Sequence, residues 1–123
     1  MLKNYRELNV WQKSYHLCLL VYKVTKEFPE DERYGLTAQA RRSAVSIPSN
    51  IAEGYGRKTT SDYLRFLYIA YGSLCELETQ MSISGDLNYI IPDELEKINN
   101  VISEIERMLK ALLRSLEKKT AGL

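Results

Sequence analysis

His16 is the only histidine of this 123-residue chain. In a helical bundle an imidazole joins a di-iron site through a Glu-x-x-His pair, with the carboxylate three residues earlier. Lys13 holds that position, so no such site is expected. No P-loop, GxSxG or HExxH occurs, and Gly54-Tyr55-Gly56 lacks the preceding strand that a dinucleotide fingerprint requires. Cys18 and Cys75 stand far apart without CxxC spacing. They read as reduced packing residues, not as a disulfide or a zinc site. The sequence therefore predicts no catalytic residue, no metal ligand and no cofactor: the protein is read as non-enzymatic, working through its surface.

What chemistry the sequence does offer is cationic. Arg41, Arg42, Arg57, Lys58 and Arg65 fall within 25 positions, with Tyr55 between them as a ring on which a base could stack. Such a set suits phosphate contacts to RNA or DNA. The competing reading pairs these cations with Glu53, Glu76 and Glu78, within or between subunits. Net charge does not decide, because the chain totals +1 while residues 1–60 carry +4 and residues 61–123 carry −3. There is no global field to draw in a polyanion, and any such partner must be met by a local patch.

These residues are positioned by helices. In the last segment Ile91, Leu95, Ile98, Ile102, Ile105, Leu109, Leu112 and Leu116 recur at steps of four and three, one apolar stripe on a helix from about 92 to 118. Pro92 suits its first position, and Asp93, Glu94, Lys118 and Lys119 match its dipole. A helix from about 61 to 85 carries Tyr63, Leu67, Ala70, Leu74, Leu77 and Met81, with Gly85 as its expected C-terminal glycine. A helix from about 10 to 28 carries Val10, Leu17, Val21, Val24 and Phe28, widened by Trp11, Cys18 and Tyr22. The remaining helix, about 36 to 53, contains Pro48, which removes one backbone hydrogen bond, crowds the carbonyl of Ala44 and predicts a kink. Gly54-Tyr55-Gly56 is expected to end it in a left-handed cap. The fold class is all-α, a single-domain, antiparallel up-and-down four-helix bundle.

Met1 to Asn9 has no apolar signal region, and no apolar run approaches the roughly 20 residues of a membrane span. A cytoplasmic protein without a membrane partner is expected.

Helical geometry assigns faces at about 100° per residue. On the second helix Leu36, Ala40, Ala44, Ile47 and Ile51 turn inward, while Ala38, Val45 and Ala52 lie nearly opposite, beside Ser49. On the third, the outer side holds Tyr68, Ile69 and Gly72, where a helical glycine costs about 1 kcal/mol relative to alanine. The two outer faces are expected to join copies of the chain; the alternative is that small surface residues carry no meaning. Asn50 and Glu53 are read as hydrogen-bonding groups beside the proline, with a functional polar site as the alternative. Glu78 projects about 60° from the third helix's apolar stripe and is expected to be part-buried, with Arg41 as partner.

The run Gln39 to Gly54, with Ser46-Ile47-Pro48-Ser49-Asn50-Ile51-Ala52-Glu53-Gly54 at its end, resembles the signature of the bacterial 23S rRNA intervening-sequence protein family. Val10-Trp11-Gln12-Lys13, Phe28-Pro29, Tyr34-Gly35-Leu36-Thr37, Gly72-Ser73-Leu74 and Glu76-Leu77-Glu78-Thr79 agree, and the resemblance spans roughly Leu8 to Leu116. It implies a four-helix bundle, a homopentamer, and genes lying within insertions of ribosomal RNA genes. A related branch resembles accessory proteins of diversity-generating retroelements, which bind nucleic acid and a reverse transcriptase. No enzymatic activity comes with the resemblance.

Overall fold

The computed structural model describes residues 4–121. Among them are four α-helices, α1 (Asn9–Thr25), α2 (Leu36–Tyr55), α3 (Thr60–Asp86) and α4 (Pro92–Thr120), two short 3-10 turns at Tyr5–Glu7 and Glu30–Glu32, and no strand.

Each helix packs on its chain neighbours, and α1 also packs on α4. The diagonal pairs, α1 with α3 and α2 with α4, do not approach each other among the described residues. The inner stripe of α1 and Ala40, Ala44, Ile47 and Ile51 of α2 are buried with Leu67, Ala70, Leu74, Leu77 and Met81 of α3 in one continuous core, against which Leu36 is part-buried. On α4 the buried row runs Ile98, Ile102, Ile105, Leu109 and Leu113. Leu113 thus replaces the expected Leu112, which is only part-buried. A straight helix drifts by about 20° per heptad against a four-three repeat, so the apolar face moves on by one residue near the end. Ile91, expected in the stripe, precedes the helix and is exposed.

The ends correct three expectations. Helix α1 stops at Thr25, not Phe28, because Glu27 and Phe28 donate to carbonyls only three residues back, those of Val24 and Thr25. The backbone restriction that Pro29 imposes on Phe28 opposes further helix. Helix α2 runs through Pro48 to Tyr55, with Gly54 inside it and the following Gly56 at φ −81°, outside the left-handed region. After α3 the residue with positive φ is Asn88 at 63°, not Gly85. A Cβ on Gly85 would stand 2.6 Å from Leu95 Cδ2, the far end of a side chain that can swing aside.

Cys18 is half-buried but Cys75 is exposed, so only the first matches a packing role. Burial pushes the Cys18 thiol pKa up.

Candidate nucleic-acid interface

The α2/α3 junction brings the most cationic chemistry together. Gly54 makes this possible: a Cβ there would meet Phe66 Cβ at 2.9 Å and Tyr63 Cδ1 at 3.0 Å, so its bare backbone lets α3 approach. Thr59 caps α3 by accepting from the Asp62 amide at 3.1 Å. The cap starts α3 about one turn before Tyr63 and two before Phe66, which sets both rings against the end of α2. Tyr63 lies 6.0 Å from Tyr55, edge to face. Its phenol pKa is pushed up to about 12, first by burial and then by the Tyr55 hydroxyl.

Phe66 is buried, and two guanidinium groups sit over its ring, Arg57 at 4.6 Å and Arg65 at 4.4 Å from the centroid. Arg57 also donates to Glu53 at 2.6 Å, and Arg65 stands 3.8 Å from Asp62. Lys58 is exposed between them and makes no ion pair among the described residues. Phe66 was absent from the sequence expectation; its position one residue before Leu67 in the stripe was the available signal.

The other two cations lie elsewhere. From position 41 to the end of α2 at 55 the helical rise alone is about 21 Å. Arg41 turns toward α1, where its Nε donates to Thr25 Oγ1 at 2.9 Å and its guanidinium covers the Tyr22 ring at 4.6 Å. The expected Arg41–Glu78 pair does not form, since Glu78 is exposed and needs no buried donor. That flank of α3 lies outside the core. Arg42 turns to the opposite flank, toward α3. Asn50 Nδ2 donates to the Ser46 carbonyl at 2.8 Å and to Ser46 Oγ at 2.9 Å, beside Pro48.

Of the small-residue face on α2, Val45 and Ser49 are exposed and Ala38 and Ala52 half-buried. Val45, Ser49 and Ala52 line a groove of about 360 Å³ whose other wall is Trp11, Tyr15, Cys18 and Leu19 of α1. Trp11 packs against Tyr5 and Tyr15, each at 5.2 Å between centroids. This wall was not expected, although the four-residue step from Trp11 to Tyr15 marks one helix face. On α3 Tyr68 and Ile69 are exposed, and a Cβ on Gly72 would have nothing within 4 Å. Tyr68 is tied across to α4 by a 2.6 Å hydrogen bond to Glu117, which raises its phenol pKa.

Among the described residues no cluster of three or more potential metal-ligating side chains occurs, and no helix is long and apolar enough to cross a membrane.

The model of the 23S rRNA-intervening sequence protein family matches residues 6–111. The chain belongs to that family. A solved structure of a protein with unknown function from the S23 ribosomal protein family of Bacteroides thetaiotaomicron is similar at 27% identity. It superposes with a TM-score of 0.79 over 85% of this chain and 97% of that one. No curated protein matches. For this member of the 23S rRNA-intervening sequence protein family the match includes Gly54, Arg57, Lys58, Arg65 and Phe66, so the junction lies within the shared region.

Proposed function

We propose that this protein is a non-enzymatic, cytoplasmic accessory protein that assembles with copies of itself and binds structured RNA through the α2/α3 junction. The carrying observation is the pair of guanidinium groups held over Phe66 with Lys58 beside them. Their carboxylate partners are exposed, and exposed ion pairs contribute only about 0–1 kcal/mol, so phosphate oxygens can replace them at little loss. Aromatic anchoring limits the side-chain freedom that binding must remove. Tyr55, part-exposed at the same end, offers a ring to an unstacked base.

The architecture we infer is the up-and-down antiparallel bundle with a bend at Pro48. Supporting it, Gly54 meets Phe66 and Ser46 meets Ser73 between α2 and α3, while Gly85 meets Leu95, Tyr71 meets Glu106 and Tyr68 meets Glu117 between α3 and α4, so that one number falls as the other rises. Self-association through the Val45/Ser49/Ala52 and Tyr68/Ile69/Gly72 faces, closing as a pentamer, is supported by the exposed apolar side chains Leu19, Val45, Tyr68 and Ile69. Charge agrees, since residues 1–60 carry +4 and residues 61–123 carry −3. Two unlike faces meeting head to tail make a ring.

The same apolar faces favour a second reading, a homo-oligomeric scaffold for another protein, a reverse transcriptase among the candidates, with no nucleic acid bound. Mobility-shift assays at low salt decide between them. A complex with an RNA hairpin, weakened by Arg57→Ala with Lys58→Ala, supports the first reading; no complex with hairpin RNA, single strands or duplex DNA leaves the scaffold.

A further inference from the structure

A second cleft, of about 400 Å³, runs between the outer flanks of α2 and α3. Helix α2 lends it Gln39, Arg42, Ser43 and Ser46; helix α3 lends Ser73, Glu76 and Gln80. On each helix these residues recur at one-turn spacing, so each lays a polar row along one side of a cleft about 10 Å long. The hydroxyls of Ser46 and Ser73 meet at 2.8 Å and close one end.

The other lining side chains make no hydrogen bond or ion pair among the described residues. Arg42 and Glu76, of opposite charge, form no ion pair with each other or with any other described residue. Ser43 is 7% exposed. Its hydroxyl makes no hydrogen bond among the described residues. Gln80 Oε1 is buried without a donor, and a buried acceptor left unpaired costs about 1–3 kcal/mol. An exposed cation, an exposed anion, a largely buried hydroxyl and an amide whose oxygen is buried without a donor therefore line a single polar space.

We propose that this cleft binds a small zwitterion of the α-amino-acid class. Its carboxylate takes the Arg42 fork, a charge-assisted arrangement that can be bidentate. Its ammonium supplies donors to Glu76 and to Gln80, whose amide turns to meet it. Its side chain lies along the serines. A simple anion leaves Glu76 unmatched and a simple cation leaves Arg42 unmatched, whereas a zwitterion satisfies both at once. The site is separate from the α2/α3 junction, and its failure leaves the RNA reading standing.

Titration calorimetry on the intact protein with glycine, L-serine and L-glutamine tests the proposal, with N-acetyl-L-glutamine and L-glutaminamide as controls that each lack one charge. For a ligand of about ten heavy atoms the expected dissociation constant is on the order of 0.1–1 mM. The capped analogues, Glu76→Gln and Gln80→Leu should each weaken binding about tenfold, one broken polar contact being worth about 1.4 kcal/mol. Circular dichroism confirms that the variants fold. No heat from any of the three amino acids at about 10 mM, where millimolar binding is detectable, overturns the proposal. Equal binding of the capped analogues does so as well.

Discussion

Replacing two glycines by the same residue separates close packing from helix propensity. Both Gly54 and Gly72 lie within α-helices, where alanine is favoured by about 1 kcal/mol at an interior position. Gly54 is next to last in α2, so its gain is smaller. At Gly72 the new Cβ meets nothing within 4 Å, and Gly72→Ala should stabilise the subunit by up to about 1 kcal/mol. At Gly54 the Cβ meets Phe66 Cβ at 2.9 Å, an atom fixed to the α3 backbone that cannot swing aside. The helices must separate, and overpacking of this kind costs about 1–3 kcal/mol. The two variants should therefore differ by about 1–3 kcal/mol, with Gly54→Ala the less stable. Urea unfolding followed by circular dichroism at one protein concentration measures the difference, concentration being fixed because assembly contributes to apparent stability. Equal stability of the two variants, with unchanged m-values, refutes the close-approach argument and with it the account of how Phe66 reaches Arg57.

Arg41→Ala loses the Thr25 hydrogen bond and the Tyr22 ring contact and should cost about 1–2 kcal/mol, whereas exposed Glu78→Ala should change stability by less than about 0.5 kcal/mol; equal costs in urea unfolding would restore the Arg41–Glu78 pairing. Tyr63 ionises at about 12 when folded and near 10 when unfolded, so the unfolded state loses its proton first and stability falls as pH rises between those values. In Tyr63→Phe that part of the alkaline loss should vanish, and an unchanged slope in unfolding measured across the same pH window contradicts the burial argument. Gly72→Leu or Ala52→Glu should lower the assembly mass by light scattering while helical content holds; a wild-type monomer ends the self-association proposal.

The interior was legible because its signal is repetitive. Leu17 and Val21, Ala44, Ile47 and Ile51, and Leu74, Leu77 and Met81 follow helical steps, and burial obeyed the steps. What was not legible depended on distances between helices. Gly54 looked like a chain terminator in sequence, yet it is a contact point whose meaning lies in Phe66 of another helix. The cationic set was legible as residue types but not as a site. Five positions close in sequence divide among two flanks of α2 and its far end, because Arg41 and Arg42 are adjacent and so point about 100° apart. Beyond its place beside Leu67 in the stripe, nothing local marked Phe66 as the platform for Arg57 and Arg65, since its burial against the end of α2 is a tertiary event.

The most direct test of the RNA reading is the salt dependence of hairpin binding by wild-type protein and by a variant combining Arg57→Ala, Lys58→Ala and Arg65→Ala. Each phosphate neutralised contributes about −0.9 to the slope of log K against log salt on duplex, or about −0.7 on single strands. Three lost contacts per bound subunit should flatten the slope by about 2–3 while the assembly mass stays constant. A variant that binds the hairpin with the wild-type affinity and the wild-type slope contradicts the assignment of RNA binding to the α2/α3 junction.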